Sequence, residues 1–185
     1  MSATFFQNYF KKINKSTGLV SEERLKKIAD LVLATSSASK KIILVGNGGS
    51  AAMASHVAVD FTKASKIRAI NFNEADLITC FANDYGYENW IVEALKAYAD
   101  SGDSLFLISS SGQSANIIKG ALQAKAMGVN VVALSGFSEN NPLRKCADIE
   151  LWVDSQEYNV VEMTHHIWLL SIVDYICEKK NMDSL

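Results

Sequence analysis

The ten residues KIILVGNGGS (41–50) decide the fold of this chain. Residues 41–45 are apolar after the first lysine, which is typical of a short strand buried on both faces. The glycine-rich segment 46–49 would end that strand, and a helical pattern follows over 50–64. A buried strand, a tight turn and a helix form the first half of a βαβ unit, so the stretch predicts a parallel sheet covered by helices.

The same alternation continues outward from this stretch. Apolar runs predict further strands at Ser104–Ile108, Val129–Leu134 and Ile149–Val153, with another strand candidate at Ala69–Phe72. Helical patterns cover Glu22–Ser37, Ser50–Ala64, Ser114–Met127 and Glu157–Glu178, while Ile78–Ala82 is ambiguous between strand and helix. We therefore expect an α/β fold, a three-layer αβα sandwich with a doubly wound parallel sheet. Its ligands should bind beyond the carboxyl ends of the strands, at a topological switch point.

The organisation of the chain indicates a single domain over 1–185. The sequence has one proline, and no repeat or low-complexity linker interrupts it. Residues 1–38 would form N-terminal helices, the first of them amphipathic over Met1–Lys15, and residues 39–185 the sheet core and a C-terminal helix.

Composition and charge exclude several classes of function. A net charge of -2 gives no basic surface of the kind that binds nucleic acid directly. No run of eighteen apolar residues predicts a membrane span, and the N-terminus lacks the apolar core of a signal peptide. The three cysteines are far apart in sequence, which disfavours a disulfide framework or a zinc ribbon and fits a reducing cytoplasm.

The last predicted helix indicates an oligomer. From Val161 to Cys177 it is apolar nearly all round, and Glu162 and Asp174 are its only formally charged residues. A helix with that pattern must be covered on both sides, and a partner subunit is the simplest cover. We therefore expect a homo-oligomer.

Two loops in equivalent positions are candidates for anion binding. GNGGS (46–50) and SSSGQS (109–114) each follow a predicted strand and precede a helix. Free backbone N–H groups and the helix dipole favour negative charge at such a junction, and the serine hydroxyls add donors for phosphate oxygens. Neither loop matches the dinucleotide fingerprint or the phosphate loop of nucleotide hydrolases. The plainer alternative, in which these residues only cap helices and form turns, remains open.

Three segments of the chain resemble the phosphoheptose isomerase family of SIS (sugar isomerase) domains. They are GNGGSAAMASHVAVDF (46–61), ANDYGYE (82–88) and ISSSGQSANIIKGALQAKAMGVNVVALSG (108–136). The resemblance runs from about residue 41 to the end of the chain. The serine-rich loop is common to SIS domains in general. The other two segments together point to the narrower branch that holds the phosphoheptose isomerases and the proteins that associate with the DnaA initiator.

The resemblance implies a function and a set of binding residues. The family forms homotetramers and converts sedoheptulose 7-phosphate to a manno-heptose 7-phosphate for lipopolysaccharide and other surface glycans. Its phosphate contacts correspond here to Ser109, Ser110, Ser111 and Ser114. Its sugar contacts correspond to Asn47, Gly48, Ser50, Asn83 and Asp84, and Glu162 would bind substrate or form a bond across subunits.

The resemblance also implies catalytic residues, and here the sequence departs from the family. Isomerisation needs a base near two adjacent carbons, which the family supplies as a glutamate; Asp60 stands at that position, one helical turn after His56. His56 and Asp60 could form half of the family's zinc site, but its other two ligands are replaced by Val161 and Leu169. We therefore expect no cofactor.

Two histidines next to the missing ligand position leave the mechanism open. His165 and His166 are catalytic candidates together with Asp60, although a packed or interface pair is the alternative. The leading hypothesis is a cytoplasmic sugar-phosphate isomerase of the phosphoheptose type. The other hypothesis is a non-catalytic SIS module that binds a sugar phosphate or a partner protein.

Overall fold

The computed structural model describes residues 4–182, and within that range the chain forms a five-stranded parallel sheet flanked by helices. The strands are β1 Ile42–Gly46, β2 Ala69–Asn71, β3 Ser104–Ser109, β4 Asn130–Ser135 and β5 Ile149–Trp152. The helices are α1 Phe5–Thr17, α2 Glu22–Ser37, α3 Gly49–Lys63, α4 Ala75–Tyr85, α5 Trp90–Tyr98, α6 Ala115–Ala126, α7 Pro142–Cys146 and α8 Tyr158–Met182. The predicted α/β sandwich with a doubly wound parallel sheet is confirmed.

The strand order is β2-β1-β3-β4-β5, so the chain reverses its direction across the sheet between β1 and β3. These two strands are in register along their length, and Gly46 pairs with Ile108 at their carboxyl ends. The loops that follow them therefore emerge side by side. In open parallel sheets this switch point is where ligands bind.

Alternate residues of the central strands face two separate apolar cores. On one face, side chains such as Leu44 and Phe106 pack against α2, α3 and α8. On the other face, Val45 and Leu107 pack against α5 and α6. Because both faces are covered, the strands are apolar throughout instead of alternating with polar residues, which is the pattern that predicted them.

Two helices were missing from the sequence interpretation. Residues 75–85 form α4, which resolves the ambiguous segment in favour of a helix, while α5 and the short α7 had not been predicted at all. α5 buries Trp90 and Ile91 against the sheet, so tertiary packing supports a helix of only nine residues.

The terminal helices leave apolar surface exposed. Helix α1 corresponds to the predicted N-terminal helix, whose residues 1–3 lie outside the described range. Its Phe5, Phe6 and Phe10 are 65–74% exposed. Helix α8 buries one face in the core but leaves Met163 and Ile167 more than 40% exposed. None of the helices within 4–182 is long and apolar enough to cross a membrane.

Candidate functional site

The loops after β1 and β3 meet around a cavity of about 120 Å³ at the switch point. It is lined by nine residues from the two loops and from the start of α8, namely Asn47, Ser50, Ile108, Ser109, Ser110, Ser111, Ser114, Tyr158 and Glu162. All four predicted phosphate residues are in this set. No lysine or arginine is among the lining residues, so an anion in the cavity would depend on N–H groups and hydroxyls.

The serine-rich loop forms a tight turn before the N-terminus of α6. Gly112 donates its N–H to the carbonyl of Ser109, and it has a positive φ of 62° that favours glycine. Ser114 is the N-cap residue of α6, yet its hydroxyl makes no capping hydrogen bond. The plainer interpretation, in which this serine serves to cap the helix, is therefore not supported. Its hydroxyl is available for a ligand in the cavity.

A pair of amides fixes the glycine-rich loop. Asn47 donates to Oδ1 of Asn116 at 3.1 Å and accepts from Nδ2 of the same side chain at 2.8 Å. The hydroxyl of Tyr87 also donates to Oδ1 of Asn47, at 3.1 Å. Asn47 is thus oriented by α6 and by the segment 82–88, which brings the second motif of the sequence against the first.

Glu162 reaches the cavity from α8 because Gly49 leaves room for its carboxylate. A Cβ atom at position 49 would lie 2.6 Å from Oε2 of Glu162, closer than side-chain carbons approach. Gly49 is the first residue of α3, so the carboxylate lies at the positive end of a helix dipole. A carboxylate would repel a phosphate, so Glu162 suits the sugar end of a ligand.

The structure separates the two adjacent histidines of α8. His166 is partly exposed, and its Nε2 lies 2.9 Å from Nδ1 of His56 on α3. The other ring nitrogen of His56, Nε2, lies 3.3 Å from Oδ2 of Asp60. Burial, followed by the neighbouring His56, lowers the pKa of His166, while Asp60 acts in the opposite direction.

His165 points into the core and is fully buried. Its Nε2 donates to the carbonyl of Ser135 at 3.0 Å, and its Nδ1 is buried without a hydrogen-bond partner. Burial lowers the pKa of His165 from 6.5 to about 4, with the Ser135 carbonyl opposing that change. This position does not favour the expectation that His165 is a catalytic residue, because the ring bonds to the sheet and does not line the cavity.

The remaining predicted sugar contacts lie at the edge of the site. Gly48 caps the start of α3, and neither it nor Asn83 and Asp84 lines the cavity. Asn83 and Asp84 are exposed near the end of α4 and bond to each other, with Nδ2 of Asn83 donating at 2.9 Å. They are therefore not part of the cavity lining within one chain.

Sequence reasoning missed three residues of the site. Tyr158 lines the cavity and packs edge-on against Phe137, while Asn116 and Tyr87 orient Asn47. Asn116 and Tyr87 both lie in the motifs quoted from the sequence, so their motif membership was a signal. Tyr158 precedes Glu162 by one helical turn, and that spacing could have placed it on the same face.

The donor groups do not fit the zinc ion that the resemblance implies. Val161 and Leu169, at two of the ligand positions, are apolar and fully buried. The two ring nitrogens of His56 face different partners, Nε2 facing Asp60 and Nδ1 facing His166. A single ion bound to His56 could therefore be shared with Asp60 or with His166, but not with both. Across residues 4–182, no group of three or more histidine, cysteine or acidic side chains could hold a metal ion. A site with two remaining ligands is short of the usual zinc coordination.

Comparisons with known proteins identify the family of this chain. The SIS domain family matches residues 6–136. The chain is 33% identical to the phosphoheptose isomerase of Mycobacterium tuberculosis over 161 residues, covering 83% of this chain and 81% of the relative. It is 34% identical to that of Fusobacterium nucleatum over 160 residues, covering 83% and 82%. The solved phosphoheptose isomerase from Neisseria gonorrhoeae superposes with a TM-score of 0.85 at 27% identity, covering 92% of this chain and 94% of that one. The chain therefore belongs to the SIS domain family, within its phosphoheptose isomerases.

Proposed function

We propose that this protein is a phosphoheptose isomerase that interconverts sedoheptulose 7-phosphate and a manno-heptose 7-phosphate. The observation that supports this most is the cavity at the switch point, where the serine loop faces Glu162. The curated relatives at 33–34% identity are named for that activity. A module that only binds a sugar phosphate or a partner is not favoured by these relatives.

In this proposal the phosphate binds in the loop 109–114. Backbone N–H groups at the start of α6 and the hydroxyls of Ser111 and Ser114 would donate to its oxygens, and the helix dipole adds to the attraction. The buried Ser109 and Ser110 form the floor of the cavity. Each hydrogen bond to the charged group would contribute about 1.5–3 kcal/mol.

The sugar hydroxyls would contact the residues at the other side of the cavity. Asn47 and Ser50 line it on the β1 side, and Glu162 lines it on the α8 side. Gly48, Asn83 and Asp84 stay proposed sugar contacts. Since Asn83 and Asp84 lie outside the cavity of their own chain, they would need a second subunit or a movement of α4 to take part.

The chemistry would be proton transfer between adjacent carbons of the open-chain sugar. The group that moves the proton would be a titratable side chain near the cavity, and His56, Asp60 and His166 form a cluster on the two helices that also carry Gly49 and Glu162. A positioned acid or base contributes about 10²–10⁴-fold to such a step.

We further propose a single-domain protein that works as a homotetramer in the cytoplasm and supplies heptose for lipopolysaccharide or other surface glycans, without binding nucleic acid. The exposed aromatic side chains of α1 and the exposed Met163 and Ile167 of α8 support burial against other subunits.

A turnover assay on a panel of ketose phosphates tests the proposal. Purified protein is incubated with sedoheptulose 7-phosphate, fructose 6-phosphate and ribulose 5-phosphate, and products are identified by NMR. We expect conversion of the seven-carbon substrate. Failure to convert any of the three would overturn the proposal in favour of a binding module.

A further inference from the structure

Three polar side chains form a linear chain of contacts across the α3–α8 interface. Asp60 contacts Nε2 of His56 at 3.3 Å, and Nδ1 of His56 contacts Nε2 of His166 at 2.9 Å. The two rings meet edge to face, with centroids 4.9 Å apart. Each side chain thus touches the next, and His166 is the terminal member.

The contacts favour one arrangement of the protons. A carboxylate beside Nε2 of His56 favours the tautomer that carries its proton there, which leaves the lone pair on Nδ1. In that tautomer the lone pair would accept the N–H of His166 at Nε2. Neutral His166 would then have its own lone pair on Nδ1, since its contact with His56 uses Nε2. The arrangement therefore ends in a nitrogen that can accept a proton.

The terminal histidine is next to the cavity along the helix. Glu162 lines the cavity, and His166 follows it on the same face of α8, one turn or about 6 Å further along the axis. On α3, Gly49 lies beside the Glu162 carboxylate, and His56 follows Gly49 by about two turns. A phosphate in the serine loop would thus place the far end of a seven-carbon chain toward these histidines.

We propose that Asp60, His56 and His166 form a metal-free proton relay in which His166 is the catalytic residue and the other two position it. The relay rests on the proposed isomerase function, and it revises the expectation that Asp60 itself is the base. Asp60 contacts His56, so its carboxylate acts through that ring. It orients His56, which in turn orients the catalytic His166, whereas the carboxylate of a Ser-His-Asp triad contacts its catalytic histidine directly.

The step balances without a cofactor. Nδ1 of His166 takes a proton from C1 of the ketose, the C–H electron pair forms the C1=C2 bond, and the carbonyl oxygen at C2 takes a proton from a water molecule, which gives an enediol and a hydroxide ion. The imidazolium keeps both of its protons and is stabilised by His56, which Asp60 orients. The imidazolium then returns its proton to C2 while the hydroxide takes the O1 proton, so the aldose forms and water and neutral His166 are regenerated. No electron acceptor is needed, since the isomers have the same oxidation state.

The test compares variants of the full-length protein with sedoheptulose 7-phosphate as substrate. We expect His166→Ala to lower kcat by about 10²–10⁴-fold with little change in KM, because the phosphate site is intact. Added imidazole should restore part of the kcat of this variant. Asp60→Asn should lower kcat with the same KM but should not respond to imidazole. Asp174→Asn, an equivalent change at an exposed carboxylate of α8, is the matched control and should retain full activity.

The outcomes separate the relay from the proposed function. If the wild-type protein has no turnover, the proposed function and the relay both fail. If the wild type is active and His166→Ala or the conservative His166→Gln is equally active, the relay is wrong and the isomerase function stands. Loss of wild-type activity on chelation, with recovery on adding zinc, would also overturn the relay, because it would show that a metal does the work assigned to His166.

Discussion

Replacement of Ser111 and Ser114 by alanine tests the phosphate site most directly. The hydroxyl of Ser114 caps nothing although it is the N-cap residue of α6, so its loss removes no helix contact. Ser111 accepts one N–H, from Gln113 at 3.2 Å, so its loss should have a small structural effect. The double variant should therefore fold with nearly wild-type stability.

The expected loss of affinity is large. Two hydrogen bonds to a charged phosphate contribute about 3–6 kcal/mol together. That range corresponds to about 10²–10⁴-fold in Kd for sedoheptulose 7-phosphate. Isothermal titration calorimetry at fixed ionic strength measures Kd, and thermal unfolding of the same samples shows that the variant remains folded. Ser37→Ala, at an exposed serine of α2, is the matched control and should bind as the wild type does.

Unchanged affinity in a folded double variant would refute the assignment. It would mean that the serine loop is a structural turn and that the anion, if one binds, binds elsewhere. An equal loss of affinity and of stability would also count against the argument, since the structure gives Ser114 no stabilising contact to lose.

Three further predictions follow from the packing. Burial lowers the pKa of His165 to about 4, so between pH 6.5 and 4 the unfolded chain binds a proton at this residue and the folded chain does not. The free energy of unfolding should therefore fall as the pH drops from 6.5 toward 4, by at most about 3 kcal/mol. Urea unfolding across this pH range measures the free energy of unfolding, which should depend less steeply on pH in His165→Gln than in the wild type. The same pH dependence in both proteins would contradict the argument. Gly49→Ala places a methyl group against the Glu162 carboxylate. It should weaken substrate binding about 10–100-fold, which corresponds to the loss of one hydrogen bond to a charged group, and should change the melting temperature little. Wild-type affinity of this variant by calorimetry would show that Glu162 does not bind substrate. Phe6→Glu with Phe10→Glu should reduce a tetramer to smaller species by light scattering, since both rings are more than 60% exposed; a wild-type protein with the 20.2 kDa mass of one chain would exclude the oligomer.

Most of the fold could be predicted from the local pattern of apolar residues along the sequence. Strands β1, β3 and β4 are apolar because both faces of the sheet are covered, and each was located to within a residue or two. Helices α5 and α7 were missed because each is short and depends on tertiary contacts; Leu143 of α7, for example, is fully buried.

The residues of the candidate site were likewise predictable only in part. The serine loop was predictable because small and hydroxyl residues at a strand–helix junction have a local physical reason, whatever the rest of the chain does. Asn116 and Tyr158 each had a weak signal, in a quoted motif and in the spacing from Glu162, but the sequence alone does not place them against Asn47 and the cavity.

By itself, the sequence determined the parallel α/β sheet and the two loops after its strands, and its resemblance to the family placed the apolar Val161 and Leu169 at two expected zinc-ligand positions. Only the tertiary structure showed which of His165 and His166 faces α3. Adjacent residues of a helix are separated by about 100°, so one of them must turn away when the other meets α3. The packing of α8 buries His165 against Ser135 and places His166 beside His56, and no pattern within the helix could have fixed that rotation.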